Sequence, residues 1–307
     1  MKTEYYNLIN YIVNIGAKYV ILGYDGNSKC YINKNFFASS LLSYGINVID
    51  VDSITKSIFS FTIKRTIADV GVLFTNSAEN EEFYVFSKEG KILKGITFSK
   101  REIQIKNWNE IGSSQKFDYS DIISTYIKLL LKRVIKTKSN MSIVINLNFS
   151  PIYRIFPYLL RDFFYKVTTL NALERFNNAY DAGIENNLTD YLFNSYSADI
   201  GIEVDLNCER IKIITKDGKI SSEDVFKYSL KGIQALDYEI EKVLILNESN
   251  SGFGLSYPII KSIFEQDIKE KTLVFDPVRS TLLFTNYSYW FDSLFTFFTF
   301  YIGRYLY

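Results

Sequence analysis

A rhythm constrains this chain more than any single motif: a short β-branched run, then a longer helical pattern, repeated along its length. YVILGY (19–24) reads as a buried strand, KNFFASSLLSY (34–44) as a helix closed by Gly45, and NVIDV (47–51) as a second strand. Residues 54–66 follow as a helix and DVGVLF (69–74) as a third strand. A β-α-β-α-β order closes as an open, mostly parallel sheet whose ligands gather at the carboxyl ends of the strands. EFYVFS and KILKGITF then make a hairpin-like pair around Glu89-Gly90.

The pattern starts again twice. Residues 119–136, within DYSDIISTYIKLLLKRVIK, are amphipathic, open on acidic and Ser caps and end in Lys and Arg, as the helix dipole favours. MSIVINL (141–147) then reads as a strand, PYLLRDFFYK (157–166) as a helix, DIGIEVD (199–205) as a strand, and IKIIT (211–215) with the turn KDGK as a hairpin. The third round has helix 221–236, strand KVLILN (242–247), helix YPIIKSIFEQ (257–266), strands TLVFD (272–276) and TLLFT (281–285), and a closing helix over 291–307. The expected architecture is α/β: three tandem modules with mixed, mostly parallel sheets, bounded at 1–118, 119–221 and 222–307. One large α/β domain is the plainer alternative.

The 307 residues contain no histidine, which removes Ser-His-Asp and Cys-His catalysis and every His-ligated zinc site. Chemistry must run on Asp, Glu, Lys, Arg, Ser, Tyr or a bound hard cation. With 35 basic against 34 acidic residues, the charge balance leaves no footprint for nucleic acid or an acidic membrane. The aromatic run from Tyr289 is interrupted by Asp292 and Arg304, so it falls short of the ~20 apolar residues of a membrane span and reads as a buried helix. Glu4 and the lack of a small-residue cleavage site argue against a secretory leader, and Cys30 and Cys208 read as free thiols of a cytoplasmic protein. The basic stretch 128–138 is a helix end, and SNSGFG (249–254) lacks P-loop spacing, so both read as structural.

The strand ends deliver GYDGNS (23–28), SITKS (53–57), TNSAEN (75–80), VDLNCER (204–210) and FDPVRST (275–281). Their order resembles the α-D-phosphohexomutases, the phosphoglucomutase and phosphomannomutase family. VILGYDGNS stands where that family has G-x-D-x-R, YGINVIDVDSITKS where it has G-x-x-V-x-D-x-G and T-P, and IADVGVLFTNSAEN where it has A-x-x-G-V-x-I-T-A-S-H-N-P. ADIGIEVDLNCERIKIITKDGKI (198–220) stands in place of the strand ending in D-G-D-A-D-R and its hairpin, with an E-N-L echo in AGIENNLTDYL.

The resemblance implies phosphoryl transfer between a phosphoserine and a sugar phosphate beside Mg²⁺, chemistry in which a protein mainly positions groups and offsets negative charge. It assigns Ser77 as the phosphoserine and Thr75 as its neighbour. Asp205, Asn207 and Glu209 fall on the three metal aspartates, Arg210 on the following Arg, and Asp276 and Ser280 on the sugar-reading G-E-x-S-G loop. Only Asp205 is an unchanged ligand. Asn207 removes one of three negative charges and Glu209 has a longer arm, so a weakened Mg²⁺ site is expected. Ala78 replaces the family's His, Asn27 its first-loop Arg and Lys56 the Pro of T-P. The fourth family domain, with its R-x-S-G-T-E-P-type phosphate clamp, is expected to be missing.

Two functions follow from this balance. The first is a catalytically impaired homologue that binds a hexose phosphate or a partner subunit, as a homo- or hetero-oligomer without nucleic acid or membrane. The second is an active Mg²⁺-dependent phosphotransferase of the phosphoglucomutase/phosphomannomutase type, using Ser77. Plainer readings stand beside both: Ser77 as a strand-end serine, and 205–210 as a solvated hairpin approach. A structural role, with the aromatic closing helix docking on another subunit, is a third.

Overall fold

The computed structural model describes residues 3–76, 83–94, 96, 103–117, 121, 138–173, 193–246, 257–260, 268–285, 288 and 290–306. They fall into two compact units, one of Met1–Ile122 and one carried by the described residues from 138 onward.

The first unit opens with helix α1, Thr3–Asn14, which the sequence reading left unassigned. Its buried Tyr5, Leu8, Ile9 and Ile12 recur at helical spacing and form one apolar face. Strand β1 (Tyr19–Tyr24), helix α2 (Ser28–Ser43), strand β2 (Asn47–Ser53), helix α3 (Lys56–Ile63) and strand β3 (Val70–Phe74) follow as expected. Helix α2 starts six residues earlier than its apolar pattern, because Asn27 accepts a bond from the Lys29 amide and caps it. Strand β4 (Phe83–Ser87) returns antiparallel to β3, and β5 (Ser114–Lys116) adds to β2, giving the order β4-β3-β1-β2-β5. The second arm of the expected hairpin is reduced to one bridge, Ile92 to Phe86. The helix expected over 119–136 falls outside the described residues, Asp121 excepted.

The second unit holds two sheets. The first has β6 (Ser139–Asn146), β7 (Phe164–Leu170), β8 (Ile200–Val204), β9 (Ile211–Thr215) and β10 (Gly218–Lys219), in the order β10-β9-β8-β6-β7. Helix α4 covers Phe156–Phe163, so the helix expected over 157–166 ends three residues early. From Phe164 the chain becomes β7, whose FYKVTTL favours a strand and which pairs parallel with β6. The other sheet has β11 (Lys242–Leu246), β12 (Ile259–Ile260), β13 (Thr272–Asp276) and β14 (Thr281–Phe284), ordered β12-β11-β13-β14. Here too a helix is corrected: Ile259–Ile260 within 257–266 pair parallel with β11, and 261–266 lie outside the described residues.

All three sheets share one plan. An antiparallel fourth strand lies beside the third, then come the first and the second. The same point of each plan, the connection from third to fourth strand, therefore starts at Thr75 in the first sheet and carries 205–210 and 277–280 in the others. The candidate site residues lie in these connections or, for Asp276, at the strand end that enters one.

Helix α5 (Ser222–Ala235) is capped by Ser221, and helix α6 (Ser293–Tyr301) by Asp292, with a π-helical turn at Ile302–Leu306. All nine α6 residues are buried. Its Phe297, Phe298 and Tyr301 meet Phe156, Phe163 and Phe164 at ring separations of 4.8–6.2 Å. The aromatic run thus packs inside its own unit, and this surface is not offered to another subunit. Among the described residues, no helix is long and apolar enough to cross a membrane.

An acid just before the third strand ties it to the first in two sheets. Asp69 Oδ2 accepts from the Lys18 and Tyr19 amides, and Asp199 Oδ2 from the Ser142 amide and hydroxyl. Lys216 also donates to Asp199 at 2.6 Å, and this bond, followed by that of the Ser142 amide, holds its carboxyl below the usual range. A lowered folded pKa stabilises above the unfolded value and is lost as pH falls through the folded one. Asp199→Asn is therefore expected to cost about 1–2 kcal/mol at neutral pH. That difference should begin to shrink below about pH 4, where the carboxyl of the unfolded chain takes up its proton, and go on shrinking as pH falls through the lowered folded value. Urea titrations at pH 7 and pH 3 check this, and a pH-independent gap would contradict it.

Candidate functional site

In the first unit the strand ends form a buried polar floor. Asp25 Oδ1 accepts from the Asn27 amide and Oδ2 from the Asn76 amide at 2.6 Å, tying the end of β1 to the end of β3. Thr75 is buried beside it, while Ser77 and Ala78 lie outside the described residues. Asn27, in place of the family's Arg, serves as a helix cap. Asp52, where the G-x-x-V-x-D-x-G pattern has its last Gly, adopts φ 59°. Lys56, in place of Pro, is buried with its Nζ 4.3 Å from the centre of the Tyr84 ring.

In the second unit the 205–210 turn is closed by Asp205, whose Oδ1 accepts from the Glu209 amide at 2.7 Å and the Arg210 amide at 3.0 Å. Cys208 sits at the crown with φ 58°, and burial, then Asp292 and Asp205, push its thiol well up. Asn207 is half-buried, Glu209 is buried and Arg210 is exposed. The corresponding turn of the third sheet is closed the same way. Asp276 Oδ1 accepts from the Val278 and Arg279 amides, and Oδ2 from Arg279 Nη1 at 2.6 Å. Asp276 is 2 % exposed, and its carboxylate closes its own turn.

The two turns are stitched together. Thr281 Oγ1 donates to the Glu209 carbonyl, the Ile211 amide to the Arg279 carbonyl, and Ser293 Oγ to the Arg210 carbonyl. The structure thus brings Asp205, Asn207, Glu209 and Arg210 next to Asp276 and Ser280, while Thr75 lies in the other unit. Among the described residues, no three His, Cys, Asp or Glu side chains converge to hold a metal ion. The Asp205–Asn207–Glu209 set itself offers two carboxylates and one amide oxygen, hard donors of the kind Mg²⁺ takes but with reduced charge.

Other residues of the region went unnoticed in the sequence. Glu203, buried in β8, faces Asn146 and Asn148 at 3.4 Å and Lys212 at 3.9 Å. An acid inside the apolar run IGIEV was the available signal. Beside the stitched turns opens a cleft of about 430 Å³ lined by Arg210, Lys212, Lys219, Ser222, Arg279 and Ser280 among others. Nothing in the sequence places these on one surface, because three separate segments supply them.

Three mixed, mostly parallel sheets of one plan, with the candidate residues at equivalent strand ends, define an α/β protein of repeated topology. A family model described as phosphoglucomutase/phosphomannomutase, alpha/beta/alpha domain I, matches residues 6–97. A probable phosphoglucosamine mutase of Pyrococcus abyssi is 25 % identical over 251 residues, covering 77 % of this chain and 54 % of that protein. A phosphoglucomutase/phosphomannomutase of Thermococcus kodakarensis is 27 % identical over 223 residues, covering 67 % and 48 %. A solved phosphoglucomutase/phosphomannomutase family protein of Burkholderia thailandensis superposes with a TM-score of 0.70 at 16 % identity, over 97 % of this chain and 71 % of that one. A putative phosphomannomutase of Thermus thermophilus gives 0.68 at 10 % identity, over 97 % and 74 %. The chain is a distant homologue of α-D-phosphohexomutases, whose domain I its residues 6–97 match, and it spans about half the length of the curated relatives it matches.

Proposed function

We propose that this chain is a phosphohexomutase-like protein with impaired phosphoryl transfer that still binds a sugar phosphate. The observation that carries this reading is the bonding of Asp205. The one metal aspartate left unchanged spends Oδ1 on two amides of its own turn. Asp276 does the same in the third sheet, at a turn with no metal motif. Asp205 therefore has a structural reason to be present that needs no metal. With Asn207 neutral, the loop carries two negative charges where the family motif carries three.

Mg²⁺, which the family implies, would be held by Asp205, Asn207 and Glu209 and would offset charge on the transferring phosphoryl group. Ligand charge sets the affinity of such sites. The double variant Asn207→Asp with Glu209→Asp is expected to bind Mg²⁺ at least about tenfold tighter than the parent by calorimetry. Equal affinities would show that this loop does not hold the ion. In coupled assays with hexose 1-phosphates and glucosamine 1-phosphate, no isomerisation above background is expected. Turnover that requires both Mg²⁺ and Ser77 would sink the impaired reading.

One observation is compatible with the active alternative. The bond from the Asn76 amide to Asp25 fixes the backbone one residue ahead of Ser77. A nucleophile needs such an anchored approach. A turn serine at a strand end is served by it equally well.

A further inference from the structure

We propose that one end of the first sheet, where its parallel strands begin, is a docking face for an anionic phospholipid surface, with Trp108 entering the headgroup layer. This end lies opposite the candidate site residues of that sheet. The face is independent of Ser77, of the 205–209 set and of the sugar-phosphate reading.

The topology collects the face from separate connections. Helices α1, α2 and α3 end there, at Asn14, Ser43 and Ile63, and β1, β3 and β5 start there, at Tyr19, Val70 and Ser114. Strands β3, β1, β2 and β5 are neighbours spaced by about 4.8 Å, so the segments that enter them lie within about 15 Å of one another. Among the described residues, eight large apolar side chains of the first unit are exposed. Five of them are here: Ile15, Ile67, Ile105, Trp108 and Ile111. Trp108 is 87 % exposed, and clustered apolar exposure of this kind marks an interaction surface.

Backbone bonds anchor the segment that carries Trp108. On either side of it, the Lys106 amide donates to the Ser43 carbonyl and the Gly112 amide to that of Leu42. Ser113 donates its amide and its hydroxyl to Asn47 Oδ1. A Cβ on Gly112 would lie 2.0 Å from the Ile46 carbonyl oxygen, so the chain is pressed against the sheet while the indole stays in water.

Charge selects the occupant. Among the described residues this end carries six cations, Lys18, Lys64, Arg65, Lys88, Lys91 and Lys106, against three acids, Asp69, Glu89 and Glu110. Asp69 is already spent on the Lys18 and Tyr19 amides. The near-neutral total of the whole chain hides this local excess. A second copy would set cations against cations, whereas an anionic surface is attracted by them. The five apolar side chains stand on three connections, and such separate tips suit a headgroup layer, which needs no matching shape. Tryptophan is favoured in that layer, and Lys and Arg meet its phosphates. Arg65 also serves the carboxyl end of α3 by donating to the Phe61 carbonyl, so Lys18 and Lys106 are the cations to substitute.

The test is flotation of the full chain with vesicles of phosphatidylcholine alone and of phosphatidylcholine mixed with phosphatidylglycerol, with tryptophan emission recorded in each. The parent is expected to float with the mixed vesicles, less so as salt rises, and not with phosphatidylcholine alone. Its emission should move to shorter wavelength, because Trp108 leaves water while the other tryptophan, Trp290, is already buried. Trp108→Ala, and the double variant Lys18→Glu with Lys106→Glu, should each weaken vesicle binding about tenfold or more. Tyr165→Ala, which removes an exposed aromatic of the second unit, should change nothing. All the substituted side chains are exposed, so circular dichroism should report intact folding.

Unchanged binding in Trp108→Ala would overturn this face, and equal binding to the two kinds of vesicle would overturn the anionic preference. Soluble polyglutamate moving the emission of the parent, with no flotation on mixed vesicles, would overturn the lipid in favour of an acidic protein. A blue shift that grows with protein concentration in the absence of vesicles would overturn it in favour of a second copy. Failure to float with either vesicle would overturn the proposal outright.

Discussion

Gly232→Ala is expected to destabilise the second unit by about 3 kcal/mol, at the upper end of overpacking costs. Its midpoint of thermal unfolding should fall by roughly 5–10 °C. Helix propensity predicts the opposite sign, since alanine in a helix interior is better than glycine by about 1 kcal/mol. Packing decides it. A Cβ on Gly232 would lie 1.9 Å from the Thr299 carbonyl oxygen, and one on Gly303 would lie 1.8 Å from that of Tyr228. Both obstacles are backbone, so no side chain can swing aside. Helix α5 therefore crosses α6 and the π-helical turn at near main-chain contact, and both glycines are required. A midpoint unchanged or raised in Gly232→Ala would mean that these helices do not approach as described.

A second large effect is expected at Lys34, whose side chain is 2 % exposed and whose Nζ meets both oxygens of Asp50 at 2.6 and 2.7 Å. The Tyr24 and Tyr31 rings flank the ammonium at 5.3 and 5.4 Å. Removing the acid strands a buried charge, which typically costs about 3–5 kcal/mol. Asp50 is 26 % exposed, so water would recover part of that, and about 3 kcal/mol is expected for Asp50→Asn. Lys34→Met should cost clearly less, because the carboxylate it leaves behind can hydrate and Met fills the space. Urea denaturation of the two variants gives the comparison. Equal losses, or a larger one for Lys34→Met, would contradict the buried-pair account.

Much of the fold was legible because its strands are short apolar runs bounded by turn residues. YVILGY, DVGVLF and TLVFD could hardly be anything else. Errors arose where two patterns overlap. PYLLRDFFYK has helical spacing throughout, yet its last three residues belong to a β-branched run that continues to Leu170 and is claimed by pairing with β6. Strand β5, Ser114–Lys116, is exposed and polar, so only its bonds to β2 define it. Helix α1 was readable from Tyr5, Leu8, Ile9 and Ile12.

The site was legible as an order of segments and much less as chemistry. Asp205, expected as a metal ligand, and Asp276, expected as a sugar reader, each also close their own turn, because an Asp at a strand end can accept amides two to five residues on, and no residue type marks that in the sequence. The cationic cleft was invisible. Three separate segments line it, and tertiary stitching such as the bond from Thr281 to the Glu209 carbonyl leaves no local pattern.

The central claim, that phosphoryl transfer is impaired, is tested most directly by intact mass after incubation with Mg²⁺ and a hexose 1,6-bisphosphate, with Ser77→Ala alongside. The account predicts no mass gain in either protein. A gain of one phosphoryl group in the parent but not in Ser77→Ala would contradict it and show that the nucleophile works.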